Sequence, residues 1–225
     1  MSVLMDARLH ELLRGLVVQL GIQREEAQAK VIRGIKKLAL GSIQGENNES
    51  NIVSDKILAR FLANSFLAII DHINAAFLPK EGKYVVEEGR SAIFGMRKLL
   101  DLMAADEERL LSLRPKIVST LKLAMSSASL SLEAIELYNH FLRLIGVSNV
   151  GLFLDQVVAD VLPFMEGVEV GTTKKVVDLL EYLIVDHSHV LGKYFKNIHF
   201  LPDLPILKNI KFVLEKGNKD ETLEQ

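Results

Sequence analysis

The sequence predicts an all-α fold, an α-solenoid of about ten amphipathic helices stacked as HEAT-like antiparallel pairs. Three observations lead there. Apolar residues recur three and four apart along most of the chain, the spacing of one helix face. Breaks carrying Gly, Pro, Ser, Asn or Asp separate these runs, leaving helices of roughly 12 to 24 residues joined by short turns. No segment alternates apolar and polar residues between hairpin turns, so no strand is predicted. Pairs beginning near Val85, Leu132 and Thr172 repeat at about 40 residues, the period of HEAT arrays, although periodicity alone also suits a bundle.

The first helix places Leu4, Leu9, Leu12, Leu13, Leu16, Val17 and Leu20 on one face and stops at Gly21. Residues 24–40 repeat the pattern with Ala27, Val31, Ile35 and Leu38 inward, ending at Gly41, so these two helices are expected to form an antiparallel hairpin. The polar stretch that follows, within 41–53, is expected to be a mobile loop, because Gly, Asn and Ser favour turns and nothing in it gains from burial. Ser54-Asp55 offers an N-cap for a long helix with Ile57, Phe61, Leu62, Ile69, Ile73 and Phe77 on its apolar face, running to Pro79. A turn at 80–83 leads into a helix over 85–103 with Ile93, Met96, Leu99, Leu100 and Met103 inward, slightly weakened by Gly89 and Gly95.

Asp106 is placed to cap one further helix through Leu110, Leu113, Ile117, Leu121 and Met125, with Pro115 in its first turn and Ser126-Ser127 at its end. Residues 132–145 form a helix closed by Gly146, and 150–165 another closed by Gly167. Thr172-Thr173 opens a helix to Ile184 or Val185, and 187–198 gives a short one. Pro202 and Pro205 force an extended turn before helical spacing resumes over 206–214.

With 225 residues, 49% hydrophobic, the chain can bury a continuous core. Its formal net charge of -2 argues against a polybasic nucleic-acid binder. The absence of cysteine removes disulfides, thiolate metal sites and a cysteine nucleophile, and suits a reducing compartment. Asp6, Arg8 and His10 interrupt the N-terminus where a secretory signal needs an unbroken apolar core. Unbroken apolar runs such as 66–70 fall short of the roughly 18 residues of a membrane span, so a soluble protein is expected.

Each candidate for chemistry has a plainer structural reading. His187 and His189 invite a metal site, but residues two apart on a helix point in different directions and no third ligand has recognisable spacing. Asp71-His72, His10, His140 and His199 have no sequence partners that would mark a triad or an acid–base pair. Gly146 to Gly151 is glycine-spaced, but a phosphate cradle needs a preceding strand and here a helix precedes, so a cap and turn is expected. No kinase glycine-rich loop, catalytic loop or metal-binding motif is present in the sequence. Lys30, Arg33 and Lys37 share one helix face and read as a solvated surface, as does the basic region of Lys193, Lys196, Lys208 and Lys211. No catalytic, cofactor-binding or metal residue is therefore assigned.

One segment is more specific. His199-Phe200-Leu201-Pro202-Asp203-Leu204-Pro205, continuing through Leu207, Ile210-Lys211 and Val213-Leu214, resembles the segment after the UME domain in the ATR checkpoint kinases of the phosphatidylinositol 3-kinase-related family. In order upstream, Val161-Leu162-Pro163-Phe164-Met165 resembles that family's leucine-proline helix end, and Glu181-Tyr182-Leu183-Ile184-Val185-Asp186 its Tyr-Leu-Ile-Ile-Glu stretch. Leu99, Leu102, Met103, Lys116 and Ser119-Thr120-Leu121 fit the UME helices.

The resemblance implies a helical repeat region at 1–56, a UME domain at 57–168, HEAT-like helices at 169–215 and a frayed tail at 216–225. It implies a non-catalytic scaffold segment of a nuclear Ser/Thr protein kinase of the DNA-damage and replication-stress checkpoint. The ATP- and divalent-metal-dependent catalytic domain would lie elsewhere. Implied partners are other segments of the same kinase, the ATR-interacting partner protein and a second copy in a homodimer; direct nucleic-acid contact and membrane association are not expected. The alternative is an independent HEAT-like adaptor unrelated to kinase signalling.

Overall fold

The structure, a computed structural model, describes residues 11, 14–15, 18–22, 24–43, 54–79, 85–164 and 170–191. Its elements are helical throughout, with no strand among the described residues, and the chain divides into two compact units, Met1–Leu144 and Ile145–Gln225.

In the first unit, helical residues at Glu11, Arg14, Gly15 and 18–20 precede α1 (Glu25–Ile43), α2 (Asp55–Ala75), α3 (Val86–Met103), α4 (Glu107–Ser112), α5 (Arg114–Met125) and α6 (Ser131–Ile145). α1 buries Val31, Ile35 and Ala39, a four-residue step, so Ala39 takes the inward place expected of Leu38, which is half-buried. It also runs through Gly41, which weakens a helix by only about 1 kcal/mol and does not stop one by itself. The expected loop beyond residue 43 lies outside the described residues.

α2 starts where the sequence places it: Ser54 Oγ accepts the Ile57 backbone N–H at 3.3 Å. Its buried line runs through Leu58, Leu62, Phe66, Ile69 and Ile73, leaving Ile57 exposed and Phe61 half-buried, so the inward face is rotated from the expected one. On α3 all five expected positions, Ile93, Met96, Leu99, Leu100 and Met103, are buried. Gly89 has a packing role beyond its low propensity, because a β-carbon there would overlap Leu130 Cδ1.

The single helix expected over 106–125 is two. Pro115 has no N–H to donate to the preceding turn and its ring crowds that turn. α4 therefore closes at Leu113, whose N–H is shared by the carbonyls of Arg109 and Leu110, and α5 restarts with Pro115 in its first turn.

Bonds between helices give the repeat directly. The end of α2 lies beside the start of α3, and Lys36 of α1 meets Asp55 at the start of α2 at 3.4 Å, so consecutive long helices run antiparallel. Arg90 Nε donates to Glu133 Oε1 at 2.9 Å, and His140 Nε2 lies 2.6 Å from Asp101 Oδ1. These join α3 to α6 in a parallel sense, at sequence separations of 43 and 39 residues. Arg109 Nη1 to Asn64 Oδ1, at 2.6 Å, joins α4 to α2 at a separation of 45. Equivalent helices stacked in parallel at about 40 residues are what HEAT-type pairs produce.

The second unit is more broken than expected. α7 (Val147–Val150), a 3-10 turn (Gly151–Phe153), α8 (Leu154–Val161) and a second 3-10 turn (Leu162–Phe164) stand where one helix over 150–165 is expected. Gly151 and Pro163 sit in the two tight turns, where they weaken an α-helix most. The stretch Val147–Phe164 is long and apolar enough on average to cross a membrane, which the count of unbroken apolar runs misses. Yet Val150, Val157, Val158 and Val161 are buried against protein, and buried Asp160 accepts a hydrogen bond from Gln156 Nε2 at 2.8 Å, as in a helical core.

α9 (Val170–Leu180) begins just before Thr172, which is buried, and ends in a π-turn (Glu181–Val185) where Asp186 N–H reaches the Glu181 carbonyl at 3.0 Å. α10 is Ser188–Leu191. Gly167, the rest of the helix expected to 198, and the turn at Pro202 and Pro205 lie outside the described residues.

Candidate partner-binding surface

Three of the described histidines, His140, His187 and His189, are engaged in packing or pairing. The His187 ring meets Tyr182 edge-on at 4.7 Å, and the His189 ring is tilted 43° to it at 6.4 Å. Among the described residues no group of three or more His, Asp or Glu side chains could hold a metal ion. His140 ties α6 to α3 through Asp101, and His72 is exposed at the end of α2. His10 and His199 lie outside the described residues.

The glycine-spaced segment is a turn. Gly146 has φ of 75°, its carbonyl accepts the N–H groups of Asn149 and Val150, and Asn149 Nδ2 caps the Ile145 carbonyl at 2.7 Å. Its donors and acceptors thus close α6 and open α7.

Lys30, Arg33 and Lys37 are exposed together on α1, where Arg33 Nε also bonds the Ala29 carbonyl of its own helix at 3.3 Å. Lys193, Lys196, Lys208 and Lys211 lie outside the described residues. A further charged node was not singled out by spacing. Buried Asp106 caps α4 by accepting from Arg109 N–H at 3.4 Å, and its second oxygen lies 3.8 Å from Arg60 and 3.7 Å from Arg109. Only its capping role was readable, since Arg60 is brought in by tertiary packing.

One opening in the surface arises where side chains are small. Ala76 at the end of α2 and Ala92 and Gly95 on α3 leave a cavity of about 470 Å³ between the helices, with buried Ile73 on its floor. Val18, 50% exposed, closes one side, and exposed His72, Glu87 and Glu88 stand at its mouth with half-buried Ser91. Gly21 allows this edge to form, because a β-carbon there would overlap Ser91 Oγ and the Ser91 carbonyl oxygen. Ile22, Leu78 and Val85 in the adjoining chain segments are also exposed, at 45%, 50% and 41%. Exposed large apolar groups collected at one place mark an interaction surface more often than scattered ones. The sequence signal was present in Ala76, Ala92 and Gly95, but their alignment across two helices requires the hairpin register.

Residues 61–165 match the model of the UME (NUC010) domain. Over 174 residues, 76% of this chain, the sequence is 24% identical to the Serine/threonine-protein kinase ATR of Drosophila melanogaster, of which the match spans 7% of the length. No solved structure matches. The chain is thus an all-helical, UME-domain-containing module of packed helix pairs.

Proposed function

We propose that this protein works as a helical interaction scaffold, presenting surfaces to partner proteins and contributing no reacting group of its own. The observation that supports this most is the use of its polar side chains. Arg90, Asp101, Asp106, Arg109, Glu133 and His140 are spent on joining one helix pair to the next, while the opening between α2 and α3 is floored by apolar groups. A catalytic cleft instead gathers titratable groups around a reacting atom.

Two settings fit such a scaffold. An independent HEAT-like adaptor needs only the packed pairs and the exposed surfaces. A segment of an ATR-type Ser/Thr kinase draws support from the UME match and from the 24% identity to the fly kinase, which spans 7% of that kinase. In that setting the chain would act in the nucleus, holding other segments of the kinase and the ATR-interacting partner protein, with phosphoryl transfer carried out by a domain elsewhere. Sequencing transcripts through and beyond codon 225 separates the two. Continuation into kinase motifs supports the kinase segment; a stop codon after Gln225 in all transcripts supports the adaptor. Co-purification with partner polypeptides at fixed stoichiometry is expected in both, and a protein that purifies alone from its native extract contradicts the scaffold.

A further inference from the structure

The cavity between α2 and α3 has a chemistry specific enough to name its occupant. Its floor and inner walls, Ile73, Ala76, Ala92 and Gly95, offer no charged group. Its volume of about 470 Å³ lies within the roughly 300 to 1,000 Å³ of ligand sites and has room for large apolar side chains. Glu87 and Glu88 stand exposed at the mouth on the first turn of α3. The neighbouring base, Arg90, directs its Nε to Glu133 at 2.9 Å and lies 3.8 Å from Glu87. Among the described residues the opening is therefore apolar within and acidic at the edge, and it is lined from both α2 and α3.

We infer that this cleft docks an amphipathic helix of a partner protein, with aliphatic or aromatic anchors entering between Ile73 and Ala92 and Lys or Arg beside them meeting Glu87 and Glu88. Helix-in-groove recognition uses anchors at i, i+3, i+4 and i+7 over an apolar groove, and complementary charge sets orientation and partner choice. This inference rests on the scaffold reading and assigns the partner's chemistry. Acidic residues in a first helical turn also interact favourably with the helix dipole, a role that needs no cavity beside them; the small residues on both facing helices are what the dipole leaves unexplained.

The test uses the full chain and two labelled model helices of about 14 residues that share one leucine face with this spacing, one with lysine and one with glutamate on the flanks. Fluorescence anisotropy is expected to show the lysine helix binding at least about tenfold more tightly than the glutamate helix. Ala92→Phe, which fills the cavity, is expected to weaken the lysine helix about tenfold, and Glu87→Gln with Glu88→Gln to remove most of the preference between helices. Hydrogen exchange on the unsubstituted protein is expected to slow at 72–76 and 87–95 when the lysine helix is added, a readout independent of how the variants fold.

Equal binding of both helices, no slowing at those amides, or full binding by a folded Ala92→Phe protein overturns the inference. A wild-type protein that self-associates through this cleft, with Ala92→Phe monomeric, also overturns it in favour of a second copy. A native assembly that persists in Ala92→Phe leaves the scaffold standing while removing the cleft.

Discussion

At Gly21 a side chain would meet the backbone of Ser91, whereas at Gly89 it would meet the end of the Leu130 side chain. A carbonyl fixed within α3 cannot turn away, but a leucine can change rotamer, and alanine in the helical position 89 gains about 1 kcal/mol of propensity. Gly21→Ala is therefore expected to lower stability by about 1 to 3 kcal/mol, and Gly89→Ala by clearly less, in urea unfolding monitored by circular dichroism. Equal costs would show that Leu130 is as immobile as the Ser91 backbone. Gly146 differs again, since open space surrounds it and its φ of 75° alone demands glycine. Gly146→Ala is expected to cost about 1 to 3 kcal/mol by backbone strain, a loss that shrinking neighbours does not restore.

Among the elements, what the sequence made legible followed from local chemistry. The Ser54 and Asp106 caps, the stop at Gly146 and all five inward positions of α3 are where spacing and capping rules put them. The errors share a cause: periodicity reports an apolar face but not its rotation or continuity. Leu38 gave way to Ala39 on α1, Ile57 turned outward on α2, and Pro115, Gly151 and Pro163 fell at breaks within expected helices. The cleft was illegible because Ala76 and Gly95 are neighbours only once α2 and α3 are paired.

The bonds between helix pairs carry their own predictions. Asp106→Ala removes the α4 cap and the group that draws Arg60 and Arg109 together, and is expected to cost about 1 to 2 kcal/mol by urea unfolding. Asp101→Ala and His140→Ala in a double-mutant cycle should show a coupling of about 0.5 to 1 kcal/mol between α3 and α6. Additive losses would mean that the 2.6 Å contact contributes nothing to stacking.

At the scale of the molecule, each unit buries an apolar core, and the first stacks helix pairs through polar bonds about 40 residues apart in sequence. Such arrays add stability pair by pair and leave extended surfaces for partners. Function then follows from what the surfaces hold. Reversing the charge of Lys30, Arg33 and Lys37 to Glu is expected to change stability by less than about 0.5 kcal/mol, measured by thermal unfolding, since all three are exposed on one helix face.

The most direct test of the scaffold is the native mass of the protein in gently prepared extract of its own cells, by sedimentation with mass spectrometry of the co-sedimenting chains. An assembly well above the mass of the polypeptide that carries this sequence, with other polypeptides at fixed stoichiometry, is the predicted result. A polypeptide carrying this sequence that sediments alone, at its own monomer mass and at its cellular concentration, would contradict it.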